Sequence, residues 1–319
     1  MDSIKTAVIG VGHLGKSHAR ILNNIPESKL TGICDIDENS LKSVSEAVGV
    51  KGYKDFRDLA GKVDAVCVVV PTNLHYEVAS FFLKKGVHVL CEKPVTKNLA
   101  EARKLIELSH ENNAFLQIGH IERFNSAFLS VKNEIKRPRF IECQRLGPYT
   151  PRVKDVGVVL DLMIHDIDLV LSLNPVPLER IHATGISVFS EHEDMANAHL
   201  LFQDGSMANI NASRLTCDSI RKFRVFKDRS YFSIDFGKLS YKKMSFDGEK
   251  IEDNEFFIEQ KTDALTMEIR HFIDCIINHR EPMVTGEHGK DALEIALIIL
   301  DRIKKGNISL NSREQIRNR

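Results

Sequence analysis

The sequence has no tryptophan, only six scattered cysteines, no net charge and no long apolar run. The last three each argue against a class of protein. A helix that spans a bilayer takes roughly 20 consecutive apolar residues, so neither a membrane-spanning helix nor a membrane partner is expected. Cys34, Cys67, Cys91, Cys143, Cys217 and Cys275 form no CxxC pair, and three of them lie in apolar runs that read as buried strands. Neither a metal site nor a disulfide framework is expected from such spacing. The 44 basic and 44 acidic residues cancel, so the basic footprint of a nucleic-acid binder is missing and a small-molecule partner is the expectation. The opening MDSIKTAVIGVG runs straight into a strand and a glycine turn, without a charged-then-apolar leader, and a reduced, cytoplasmic setting is expected.

What is present is core: 43% of 319 residues are hydrophobic, enough for two domains. From residue 4 to about 119 (a boundary read from pattern alone), the short apolar runs IKTAVIG, LTGICD, DAVCVVVP, VHVLCEKP and AFLQIGH alternate with helix-period segments. That alternation predicts a doubly wound parallel sheet over residues 1–120. Residues 121–312 read as a second α+β domain. It comprises a helix over 122–136, a strand, a helix over 157–171, an open and mainly antiparallel sheet over 178–248, and helices over 263–279 and 288–305. Asp204-Gly205 suits a type I′ hairpin turn between AHLLFQ and SMANINASR. Residues 313–319 are expected to be a disordered tail.

The first strand ends in Gly10-Val11-Gly12-His13-Leu14-Gly15, a helix follows at once, and Asp35 closes the second strand 20 residues after Gly15. A lone GxGxxG is weak, but this spacing between strand and helix is the dinucleotide fingerprint. The glycines let the backbone approach a pyrophosphate at the helix N-terminus. A carboxylate at position 35 suits ribose hydroxyls and repels a 2′-phosphate, which predicts NAD rather than NADP. Ligands in such sheets lie beyond the carboxyl ends of the strands. There the sequence places Pro71-Thr72-Asn73 with His75, and Glu92-Lys93-Pro94. Lys93 could polarise an oxygen or join a proton relay.

The segment GVVLDLMIHDIDLVL (157–171) is apolar nearly all round, yet at about 100° per residue Asp161, His165 and Asp168 share one narrow stripe. Asp166 falls outside it. With a nicotinamide expected nearby, the stripe is read as facing a ligand cleft, while Asp168 either orients His165 or caps a backbone group.

In order and spacing, Gly10-x-Gly12-x-x-Gly15, the Pro71-Thr72-Asn73 to His75 stretch, Glu92-Lys93-Pro94 and Asp161-x-x-x-His165 resemble the glucose-fructose oxidoreductase and inositol dehydrogenase (Gfo/Idh/MocA) family, over almost the whole chain. The resemblance implies a Rossmann domain binding NAD, a C-terminal domain whose open sheet assembles a homodimer or homotetramer, and oxidation of one hydroxyl of a sugar, cyclitol or nucleotide sugar. Met163 stands where a glycine is frequent, and GHIERFN (119–125) replaces a more usual GFxxRF-like segment. GHIERFN, the loop RLGPYTPRVKDVG and ASRLT (212–216) are similar to the UDP-N-acetylglucosamine 3-dehydrogenases. That similarity implies a UDP-sugar substrate and a 3-keto product consumed by an aminotransferase for amide-linked lipid A. It also implies substrate contacts from Arg123, Arg145, Tyr149, Arg152, Asp161, His165 and Arg214. Lys93, Asp161 and His165 then carry the chemistry. His165 is the expected base and Lys93 the group that stabilises the alkoxide, with the exchanged roles open. Asp161 either fixes the His165 tautomer or binds a substrate hydroxyl. A UDP-linked uronate, a free sugar or inositol is the alternative substrate, and a non-catalytic NAD-sensing regulator the alternative of another class.

Overall fold

The computed structural model describes residues 3–150, 156–259 and 262–317, with side chains to residue 306. The chain divides into two units: Met1–Phe124 with Thr262–Leu293, and Asn125–Lys261 with Glu294–Arg319.

The first unit is built on six parallel strands: β1 (Ile4–Ile9), β2 (Ser28–Cys34), β3 (Gly52–Tyr53), β4 (Ala65–Val68), β5 (His88–Glu92) and β6 (Leu116–Gly119). Their order is β3-β2-β1-β4-β5-β6, which puts the reversal of strand order between β1 and β4. The connecting helices are α1 (Gly15–Asn24), α2 (Glu38–Val48), α3 (Thr72–Leu83) and α4 (Leu99–Glu111). Strand interiors such as Ala65–Val68 are buried at every position, as a sheet covered on both faces requires. Asp37 and Asn98 cap α2 and α4 by accepting the N–H of Ser40 and Glu101, and Gly49 at φ +70° ends α2.

The expected division at residue 120 with a continuous second domain is corrected in one respect. Residues 262–293 return to the first unit. Ile269, Phe272, Ile273 and Ile276 of α7 (Ala264–Ile277) join the core formed by Val8, Leu22, Ile33 and Leu90. Each such side chain contributes about 1.5–3 kcal/mol on burial, so the helix belongs to the core it fills rather than to its neighbours in sequence. Val284 closes the return by accepting the Ile118 N–H.

The second unit holds eight strands in the order β14-β13-β12-β11-β7-β10-β9-β8. They are β7 (Phe140–Leu146), β8 (Leu178–Ile186), β9 (Met195–Phe202), β10 (Met207–Ser213), β11 (Ile220–Lys227), β12 (Ser230–Asp235), β13 (Ser240–Phe246) and β14 (Ile251–Phe257). Among the described residues of this sheet only β7 and β10 run parallel. Alternate residues such as Ile141, Cys143, Phe223, Val225 and Ile210 are buried, with Phe128 of α5 (Ser126–Val131) edge-on to Phe223.

Three local expectations are revised. The helix expected over 122–136 is a 3-10 turn at Ile121–Phe124 followed by α5, because the Asn125 side chain accepts the Ala127 N–H and starts a new helix. The hairpin at Asp204-Gly205 is present, but of the two only Gly205 has positive φ (+80°), and Asp204 instead accepts from Ser206. A type I′ turn needs positive φ at both positions. Finally, α8 (Gly286–Arg317) continues as helix through most of the expected tail, a stretch without proline; residues 318 and 319 lie outside the described residues.

Candidate active site

In the first unit the glycine turn sits at the switch point. Gly10 has φ +86°, and a Cβ there would lie 2.4 Å from the Val69 carbonyl oxygen. A Cβ on Gly15 would lie 1.8 Å from the Gly10 oxygen, so that glycine lets α1 start directly against the turn. Around Gly12 a Cβ would meet nothing within 4 Å, and Gly12, His13 and Leu14 are exposed. Two glycines are thus needed for packing and the third faces open space, the division of labour a pyrophosphate cradle requires. No side chain caps α1 at Leu14, which leaves its N-terminus to an anion. The Asp35 carboxylate accepts the N–H of Val11 at 2.7 Å and of Asp37 at 2.9 Å. A carboxylate has about four acceptor positions, so this anchoring retains capacity for ribose hydroxyls. The exposed Ile36 adjoins it.

Beyond β4, Pro71 and Asn73 are exposed and Thr72 half-buried at the start of α3. His75 is placed differently from expectation. Its ring is 1% exposed, with Nδ1 2.8 Å from the Pro94 oxygen and Nε2 2.9 Å from the Val70 oxygen. Burial pushes its pKa down, against the pull of the two carbonyls. A ring so enclosed braces the loops after β4 and β5 and reaches a cofactor only through them. Glu92 and Lys93 are half-buried at the end of β5. Burial raises the Glu92 carboxyl, but the hydrogen bond from His18 and the charges of His18 and Lys93 outweigh it, and its pKa is lowered.

In the second unit the apolar segment forms a wide π turn at Val159–Met163 that runs into α6 (Ile164–Leu173). Glu193 caps it by accepting the Val159 N–H. Turns of this kind recur at functional sites because they re-aim side chains within a helix. Asp161 and His165 are half-buried, whereas Asp168 is 1% exposed. Burial therefore removes Asp168 from the accessible stripe. Asp166, which the helical spacing set apart, is 2% exposed and takes a bidentate pair from Arg145, Nε to Oδ2 at 3.0 Å and Nη2 to Oδ1 at 2.7 Å.

Asp161, Arg145, Ser213, Arg214 and Arg221 line one cavity of ≈ 280 Å³. Three residues expected to meet substrate are thus brought together. Arg214 donates to Asp194 at 2.7 Å, to the Val156 oxygen at 3.0 Å and to the Ser190 hydroxyl at 2.7 Å. Its guanidinium also lies 5.5 Å from the centre of the Tyr149 ring. The charges on Arg145 and Arg214 are therefore largely met by carboxylates. Arg221 is exposed at the same cavity; its place on a strand gave no reason to prefer it to its neighbour Lys222. Arg123 lies in the 3-10 turn of the first unit, 4% exposed and thus as enclosed as Arg145 and Arg214, each 5%. Arg152 lies outside the described residues.

Among the described residues no group of three or more His, Cys, Asp and Glu could hold a metal ion, and no helix is long and apolar enough to cross a membrane.

The model for the oxidoreductase family with an NAD-binding Rossmann fold matches residues 4–120, and that for the GFO/IDH/MocA C-terminal domain matches residues 117–232. The chain is 35% identical over 303 residues to the UDP-N-acetylglucosamine 3-dehydrogenase of Acidithiobacillus ferrooxidans, covering 93% of this chain and 96% of that one. It is 30% identical over 312 residues to the myo-inositol 2-dehydrogenase of Thermotoga maritima, covering 91% and 93%. A solved structure of the A. ferrooxidans enzyme superposes with a TM-score of 0.91 at 34% identity, covering 96% of this chain and 99% of that one.

Proposed function

Because the chain belongs to the Gfo/Idh/MocA family of NAD-binding oxidoreductases, we propose that it oxidises the 3-hydroxyl of UDP-N-acetylglucosamine to the 3-keto nucleotide sugar. The observation that carries this reading is the cavity of the second unit, where Asp161 shares a wall with Arg145, Arg214 and Arg221. Guanidinium forks match phosphate oxygens, and a carboxylate among them accepts sugar hydroxyls. The identity to the A. ferrooxidans enzyme over nearly the whole chain supports the same substrate.

Bound NAD would accept the hydride, held by Gly10, Gly12 and Gly15 at the turn and by Asp35 at the ribose. The chain's own residues then handle the proton. His165 takes it from the hydroxyl, its ring kept in register by Asp161 one turn earlier, and Lys93 stabilises the charge that develops on oxygen. With the exchanged assignment, Lys93 takes the proton and His165 hydrogen-bonds the oxygen. An aminotransferase consuming the ketone, a cytoplasmic setting and a homodimer or homotetramer belong to the same proposal. Identity to the T. maritima enzyme favours inositol as the second reading. The presence of Lys93, Asp161 and His165 together argues against a non-catalytic regulator.

The test is to follow NADH absorbance with UDP-sugars, free sugars and inositol, adding an aminotransferase to draw off ketone. Turnover with UDP-N-acetylglucosamine supports the reading; turnover with inositol alone replaces it by the second.

A further inference from the structure

His18 lies on α1, three residues after Gly15, and is 1% exposed. Its Nε2 is 3.1 Å from Glu92 Oε1, and Glu92 Oε2 accepts the backbone N–H of Lys93 at 3.2 Å. One carboxylate thus joins the helix that follows the glycine turn to the residue read as catalytic. The fit is close: a Cβ on Gly119, at the end of β6, would lie 3.0 Å from Glu92 Oε2. On the other side of the same loop His75 holds the Pro94 oxygen. The backbone around Lys93 is therefore gripped by two buried imidazoles from different helices, one through a carboxylate and one directly.

We infer that His18 is a positioning residue, whose hydrogen bond fixes the Glu92 carboxylate and through it ties the dinucleotide-binding helix to the Lys93 loop. An ionised carboxylate beside a lysine has an alternative partner, the lysine ammonium itself. His18 keeps it from that partner by occupying Oε1, while the Lys93 N–H occupies Oε2. Because Nε2 faces a carboxylate it must carry a proton, and His18 Nδ1 has no hydrogen-bond partner among the described residues. Without His18, Glu92 is free to turn onto the Lys93 ammonium and withdraw it from the substrate oxygen. Displacing a reacting group by about 1 Å can cost on the order of 100-fold in rate, so the effect falls on kcat rather than on cofactor binding.

The inference rests on the catalytic reading of Lys93, and the test separates the two. In the full-length wild-type protein, nitrogen NMR of the His18 ring is expected to show Nε2 protonated; an unprotonated Nε2 overturns the inference whatever the substrate. With a substrate that the wild type turns over, His18→Leu is expected to lower kcat by about 10- to 100-fold, with NADH affinity and KM for the sugar near wild type. His18→Gln, which keeps a donor, recovers part of that loss. If His18→Leu does not fold, the smaller His18→Ala, which also removes the donor, gives the reading by the same loss of kcat with NADH binding kept. Unchanged kcat in whichever of the two variants folds overturns it. Absence of wild-type turnover on every sugar instead removes the proposed function and leaves the NMR result to decide the hydrogen bond.

Discussion

The two units bury polarity in different ways. In the first, the residues around the glycine turn are held by backbone groups: Asp35 by two N–H groups, His75 by two carbonyls, and Glu92 by one N–H and one imidazole. In the second, two almost fully buried arginines are matched one to one by Asp166 and Asp194. The backbone-held site is fixed by the turns that follow β1, β4 and β5 and can present an open glycine to a ligand. The ion pairs join separate elements, Arg145 of β7 to Asp166 of α6 and Arg214, just past β10, to Asp194, just before the neighbouring β9, and such a pair loses far more when one partner is removed. Breaking a buried pair costs about 3–5 kcal/mol because the surviving charge is left stranded.

Substitutions can break this comparison. The largest effect is expected at the chemistry itself: Lys93→Ala and His165→Ala should each lower kcat by about 10²- to 10⁴-fold while NADH fluorescence titrations stay near wild type. Next, Arg214→Ala should cost about 3–5 kcal/mol of unfolding free energy in urea; a loss below 1 kcal/mol, the range of an exposed pair, would contradict the contrast between the units. Within the glycine turn, Gly15→Ala should cost about 1–3 kcal/mol or more, since overpacking here meets backbone. Gly12→Ala should leave the melting temperature unchanged and weaken NADH binding, because its only cost is to the ligand's approach.

A smaller effect is expected from acid. Burial raises the Asp194 carboxyl, but the N–H groups of Val188 and Phe189 and the side chains of Arg214 and Ser190 outweigh it, and its pKa is lowered. A depressed pKa stabilises the fold fully above the ordinary carboxylate value, about 4, and that contribution is lost as pH falls through the native value. Urea titrations below about pH 5 should therefore show a shallower loss of stability in Asp194→Asn than in the wild type, starting from a lower plateau. Smallest of all, Lys305→Ala breaks the exposed pair with Asp301 and should change stability by no more than about 0.5 kcal/mol.

The contrast also explains what could be read in advance. The turn, Asp35 and the ends of β4 and β5 follow from short-range pattern, because strand, glycine and helix adjoin in the chain. Periodicity could not show that α7 returns to the first core, since its apolar face fits any core. Nor could it reveal Asp166 as the partner of Arg145: the two are 21 positions apart, and only the pairing of helix with sheet brings them together. Asp168 lies deeper than Asp161 and His165, since spacing fixes direction around a helix but not depth. β3, two residues long, carries no pattern at all. The His18 to Glu92 bond spans 74 positions and was invisible for the same reason as the ion pairs.

The most direct test of the central claim is the fate of a label. UDP-N-acetylglucosamine deuterated at C3 is incubated with the protein and NAD, and the reduced cofactor is analysed by mass spectrometry. The account predicts that deuterium appears in the nicotinamide, and that the same sugar deuterated at C4 transfers none. Reduced cofactor formed without deuterium from the C3-labelled sugar, or no reduction while inositol is oxidised, would contradict it.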